Sequence, residues 1–245
     1  MTPLLRAELL KLRTTRTFVA LVGASLALSL VVVVLVTVLS DNLNETDVRD
    51  LFTADFSSLF ILLLGVIGMA GEWRHRTISS TVLAAPNRLR LLAAKTLSYA
   101  VAGALLSLIV TVTIMAVGTL VLSARGEVTV GAADLVDVLW RNLAVAALLG
   151  AFGVCIGALV RNQVVAIVGL LVFAFALEPA VIAVASDVGR FGPTVGAPSG
   201  IQEVDPGGDS SAQVLVPGVA LAVMIGWIGA AFAAAGAVLQ RRDLV

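Results

Sequence analysis

Residues 17–40, TFVALVGASLALSLVVVVLVTVLS, run for 24 positions without one charged side chain. At about 1.5 Å of helical rise per residue, roughly 20 residues cross the ~30 Å hydrocarbon core of a bilayer, so this run is long enough to span it. Arg6, Lys11, Arg13 and Arg16 precede it in the manner of a signal-peptide basic region. The length argues otherwise, because the apolar region of a signal peptide covers only about 7–15 residues. A retained transmembrane helix is expected.

Five further apolar stretches follow. With the first, they give expected spans at 18–40, 53–71, 96–123, 141–160, 163–186 and 214–239. The second is the weakest, since Asp55 leaves only 56–71 uncharged. The fourth and fifth are separated by little more than Arg161-Asn162-Gln163, a tight hairpin. Composition agrees: 59% apolar and 13% charged residues, with a mean hydropathy of +1.05, cannot supply the charged surface of a water-soluble globule. The runs lack period-2 alternation, which excludes a closed barrel. The fold class is therefore all-α, a polytopic membrane protein of six transmembrane helices, expected to form one transmembrane domain over 1–245.

The formal net charge is zero, but the charges are sorted by sign between the spans. Lys and Arg gather before span one, between spans two and three (Arg74, Arg76, Arg88, Arg90, Lys95), at Arg161, and at Arg241 and Arg242, which accounts for 12 of the 16. The alternate gaps hold only Arg49, Arg125, Arg141 and Arg190, against 12 of the 16 acids. Because basic loops stay in the cytoplasm, both termini and the 72–95 connection are expected to face it, in a multi-pass plasma-membrane protein.

Residues 2–16 differ from the spans. Leu5, Leu9 and Leu12 recur at helical spacing with Arg6, Lys11 and Arg13 around the remaining surface, the pattern of an amphipathic helix lying at the cytoplasmic interface. The 72–95 connection has room for a short helix at about 77–84, a turn at Pro86-Asn87, and a basic helical run feeding span three. Gly65, Gly68 and Gly71, then Gly150, Gly153 and Gly157, then Gly226, Gly229 and Ala233, form small-residue ridges of the kind that let membrane helices approach closely.

Catalytic constellations are scarce. His75 is the sole histidine and Cys155 the sole cysteine, so neither a histidine metal cluster nor an intrachain disulfide is available. No Gly-Lys dipeptide occurs, so the phosphate-cradling Gly-x-x-x-x-Gly-Lys-Ser/Thr loop is missing from this chain and no ATPase activity of its own is expected. Glu178 is the one ionisable group well inside an apolar run, 15 residues beyond Gln163 and hence about 22 Å along a helix, in the outer part of the bilayer. An acid there costs roughly 2.5–3.5 kcal/mol on insertion scales, which demands a partner, water or a proton. Pro179 follows and is expected to bend the helix, with 180–200 forming a re-entrant or interfacial piece. Glu178 is thus either the cap of that bend or a coupling acid for transport.

Four groups of residues resemble a known family: the opening 4–16 segment LLRAELLKLRTTR, the Gly71-Glu72-Trp73-Arg74-His75-Arg76-Thr77-Ile78 run, the Pro86-Asn87-Arg88 turn leading to Ala94-Lys95, and Glu178-Pro179. Together they are similar to the membrane permease subunits of type-2 ATP-binding-cassette (ABC) exporters, in the six-span form of actinobacterial type. The resemblance implies that the basic connection after span two contains a coupling helix that docks on a separate ATPase, and that a bent segment follows span five. It further implies two permease subunits, as a homo- or heterodimer, served by two ATPase copies, with no cofactor and no nucleic acid. Glu72, Arg74, His75 and Arg76 would then be polar ATPase contacts, with Ile78 and Leu83 as apolar knobs. The rival readings are an ion-coupled secondary transporter using Glu178 and a non-transporting membrane assembly protein.

Overall fold

The structure, a computed structural model, describes residues 2–40, 43–74, 87–160, 162–205 and 214–241. Among them there is no strand, and six helical segments are long and apolar enough to cross a membrane. The predicted helix at 77–84 lies outside the described residues.

Helix α1 (Thr2–Thr14) ends at Thr15, whose extended backbone starts α2 (Arg16–Leu39), the first span. Its Leu12 is buried, and Glu8 is buried beside it. Span two is built in two pieces, α3 (Glu45–Thr53) and α4 (Ser57–Arg74). Asn44 and Asp47 close a reciprocal capping box at the start of α3. The break between the pieces falls at Asp55, whose Oδ1 accepts from the Ser57 amide at 3.2 Å and the Ser57 hydroxyl at 2.7 Å. An acid that weakens the hydropathy of this span therefore serves to cap α4.

Span three, α5 (Arg88–Arg125), is 38 residues long, about 57 Å of helix. That exceeds the bilayer core, so the basic run 88–95 continues into the span without a break. Asn87 caps its start by accepting from Arg90 N at 3.0 Å, and left-handed Gly126 (φ 72°) ends it. Span four, α6 (Ala132–Leu159), starts nine residues earlier than the apolar run suggested. Span five begins as α7 (Gln163–Val172), passes through a π-helical turn at Phe173–Leu177, and continues as α8 (Glu178–Val184). Pro179 lacks the amide that would bond four residues back. The helix answers by widening just upstream, where Glu178 N bonds Phe173 O, and runs on past the proline. Two short helices, α9 (Ser186–Gly189) and α10 (Gly196–Gln202), precede span six, α11 (Pro217–Arg241).

Helices α4, α5 and α6 form the tightly packed centre. A Cβ at Gly65 would lie 2.8 Å from Gly150 O, and one at Gly150 would lie 2.5 Å from Tyr99 O. Gly153 and Gly157 on α6 similarly meet the Leu62 and Val66 carbonyls of α4. These glycines are ridge residues as expected, and so is Gly68, against which the Tyr99 hydroxyl rests. Gly71, Gly226 and Gly229 are different: a side chain there would meet nothing within 4 Å.

Candidate functional site

The polar chemistry of the bundle is concentrated at its two ends. At the end carrying α1, the start of α5 and the end of α11, four charged side chains converge from three helices. Lys95 Nζ on α5 donates to Glu8 Oε2 on α1 at 2.7 Å and to Glu72 Oε1 on α4 at 2.9 Å. Lys11 Nζ on α1 reaches the same Glu72 oxygen at 2.5 Å. Burial acts to lower the Lys11 pKa, but the hydrogen bond and charge of Glu72, with Glu8 beyond, outweigh it and hold the ammonium above its usual range. Arg88 Nη1 donates to Leu239 O at 2.6 Å, fastening the end of α11 to the start of α5.

Of the sequence-predicted contact residues, Glu72 points inward and is 4% exposed. Arg74, two residues on, is exposed at the last turn of α4, with Nη1 3.5 Å from Gln163 Oε1. His75, Arg76, Ile78 and Leu83 lie outside the described residues. Glu8 and Lys95 were not singled out as a pair, since they are 87 residues apart and no local spacing joins them. The available signal was an acid among basic residues on a leucine-bearing helix face.

At the opposite end, Glu178 is 3% exposed although it begins α8. Its carboxylate accepts from the amides of Thr194 (3.0 Å), Val195 (2.7 Å) and Gly196 (2.8 Å), and from the Thr194 hydroxyl. The acid thereby binds the turn that opens α10. Gly192 is needed there, because a Cβ would run into the Glu178 side chain.

Helix α10 is fixed in turn by a second network. Arg141 Nη1 donates to Ile201 O at 2.9 Å, while the guanidinium pairs with Asp137 (2.8 Å) and Glu203 (3.0 Å). Arg49 on α3 also pairs with Asp137, at 2.7 Å. Gln202 Nε2 donates to Asn142 Oδ1 at 2.9 Å, and Asn142 Nδ2 to Phe52 O at 3.0 Å. Arg125 binds the Thr37 and Ser40 carbonyls at the end of α2, and Arg190 pairs with Asp187. Of the four arginines that stood against the charge bias, Arg49, Arg125 and Arg141 thus fasten separate helices together, while Arg190 makes a local, exposed pair.

A helical bundle of this kind, with six helices long and apolar enough to cross a membrane, ion-paired at one end around an N-terminal helix and closed at the other by short helices after span five, is that of a multi-pass membrane protein. A family model described as ABC-2 family transporter protein matches residues 4–177, from α1 through the π-helical turn. The chain belongs to the ABC-2 transporter family and is a permease subunit of the ABC exporter type. No curated protein sequence matches it.

Proposed function

We propose that the chain is the membrane half of an ATP-driven exporter: two permease domains, each comprising 1–245, enclose a path and alternate between inward-facing and outward-facing states. Two copies of a separate ATPase supply the work by gripping the connection that follows α4. Both termini and this connection face the cytoplasm, following the distribution of Lys and Arg. The contacts are Arg74, His75 and Arg76, with Ile78 and Leu83 as apolar knobs.

The observation that carries the reading is the shared pairing of Glu72 with Lys95 and Lys11. It makes the last turn of α4 one rigid unit with α1 and α5, so a displacement applied just beyond Arg74 moves three helices together. Glu72 acts in this reading as an internal link rather than an ATPase contact. Glu178 serves as the cap of the segment after span five, because its two oxygens already accept from four donors.

The test is Arg74→Glu with Arg76→Glu, leaving Arg88, Arg90 and Lys95 to hold the connection on its side. Pull-down should show loss of the ATPase while cysteine accessibility shows unchanged topology. Retained ATPase with correct topology would reject the assignment.

A further inference from the structure

Span two breaks where its own sequence gives no reason to. Residues 51–57, LFTADFS, contain neither proline nor glycine, and the helical ladder is instead opened by inserted side chains. In an unbroken helix Phe56 N would bond Phe52 O, and Ser57 N would bond Thr53 O. Here all four groups are partnered elsewhere. Phe56 N donates to Ser29 Oγ of α2 at 3.1 Å, and Ser57 N to Asp55 Oδ1 at 3.2 Å. Phe52 O accepts from Asn142 Nδ2 of α6 at 3.0 Å, while Thr53 O accepts from Asp55 N at 2.8 Å and from Gln202 Nε2 of α10 at 3.3 Å.

These four backbone groups are satisfied whether the helix is broken or continuous, so neither arrangement strands one of them inside the membrane. Their bonds in the broken form come from side chains that are themselves buried, Ser29, Asp55 and Asn142 among them. Closing the ladder would take Thr53 O from Gln202 and Phe52 O from Asn142. It would also re-aim α3, which carries Arg49, paired at 3.4 Å with Glu203 just beyond α10. Each of these contacts bears on the end of α10. Its start is held separately, because the amides of Thr194, Val195 and Gly196 bond Glu178 of span five.

We propose that residues 54–57 are a two-state joint. Broken, as in this structure, the joint anchors the end of α10; closed into a continuous helix, it lets that end loosen while the start stays on Glu178. Helix α4 runs without a break from Ser57 to Arg74, 18 residues or about 27 Å, so a displacement at its Glu72 end reaches the joint. A discrete exchange of hydrogen-bond partners converts that displacement into a change at the far end of the bundle.

The test is amide hydrogen exchange on the purified full-length protein in detergent without any ATPase, so its outcome is separate from that of the exporter reading. Asp55→Ala removes the acceptor of Ser57 N and should close the joint. The Ser57 amide then stays protected by Thr53 O, while amides 199–204 exchange about fivefold faster, the effect of one lost hydrogen bond. The change is partial because Arg141 still holds Ile201 O. Amides 194–196 should be unchanged. Ser57→Pro fits the first position of α4 but forbids a continuous helix, and it deletes the donor that Asp55 serves. Added to Asp55→Ala, it should return amides 199–204 to the wild-type rate. Asp55→Asn keeps an acceptor for Ser57 N and should also exchange at the wild-type rate, which provides a check should the proline variant fail to fold. Loss of protection at Ser57 in Asp55→Ala would show a broken cap rather than a closed joint and overturn the proposal. So would unchanged exchange at 199–204 in Asp55→Ala, or equal exposure there in Asp55→Asn and Asp55→Ala.

Discussion

Lys95 Nζ on α5 lies 2.9 Å from Glu72 Oε1 on α4, with the two side chains only 1% and 4% exposed. Withdrawing an ammonium and a carboxylate from water costs several kcal/mol per ion and is offset only by close pairing and further hydrogen bonds. Glu8 and Lys11 supply these, giving two carboxylates and two ammoniums in one cluster.

Lys95→Met would leave Glu8 and Glu72 facing each other without their buried cation. The expected loss is about 3–5 kcal/mol, the usual cost of removing one partner from a buried pair. Adding Glu8→Gln and Glu72→Gln should recover much of it by removing the stranded charges. Thermal unfolding in detergent reads both effects, and an unchanged unfolding temperature for Lys95→Met would refute the cluster's structural role.

The glycines supply a paired comparison. Gly153→Ala places a methyl against the Leu62 carbonyl, where the α4 and α6 backbones have no room to part cheaply. Overpacking of this type costs about 1–3 kcal/mol. Gly226→Ala and Gly229→Ala add a methyl where nothing lies within 4 Å and should leave the unfolding temperature unchanged or slightly raised. Equal sensitivity at all three positions would contradict the packing described.

Glu178→Ala should release the turn at Thr194–Gly196, stranding three amides that the carboxylate satisfies, at about 1–3 kcal/mol each if they stay buried. Glu178→Gln should be intermediate. Its single oxygen can serve Val195 and Gly196, while its NH2 opposes the Thr194 amide. Protease accessibility of 186–205 measures the release. If Gln matches wild type in folding yet abolishes transport, Glu178 is a coupling acid and the capping role falls.

How much of this could be read in advance follows from the range of each interaction. The six spans were legible because hydropathy over about 20 residues is a local sum, and the need of Glu178 for partners followed from the cost of an acid in lipid. The start of α6 was not legible. Asp134, Asp137 and Arg141 end the apolar run, yet the helix continues through them, with Asp137 paired to Arg49 and Arg141 to Glu203. Hydropathy detects where hydrocarbon ends, not where helix ends. Asp55 looked like a defect in span two because its hydrogen bond from Thr111, at 2.5 Å, comes from 56 residues away. The site at the α1 end was half visible: the basic residues marked the region, but nothing local told that Glu72 turns in to Lys95 while Arg74 turns out.

Orientation remains the firmest expectation for experiment. If the charge bias sets topology, reporter fusions after Ser40, Ala124 and Gly208 should read as periplasmic, and fusions after Ala84, Arg161 and Arg242 as cytoplasmic. The hairpin at Arg161 is the sensitive point, because one arginine supplies its entire positive bias. The helices on either side argue for two crossings. Ala132–Leu159 and Gln163–Val184 provide 28 and 22 residues, about 42 and 33 Å of rise, each sufficient for a core of about 30 Å. Asn162 also starts a new helix between them, accepting from Val164 N at 3.0 Å. Replacing Arg161 by Ala should therefore leave the fusion at that site cytoplasmic, since the five Lys and Arg between spans two and three and the four before span one still hold the remainder in place. A periplasmic signal at 161 in the wild type, or termini in opposite compartments, would overturn the six-span orientation and the side on which an ATPase is proposed to dock.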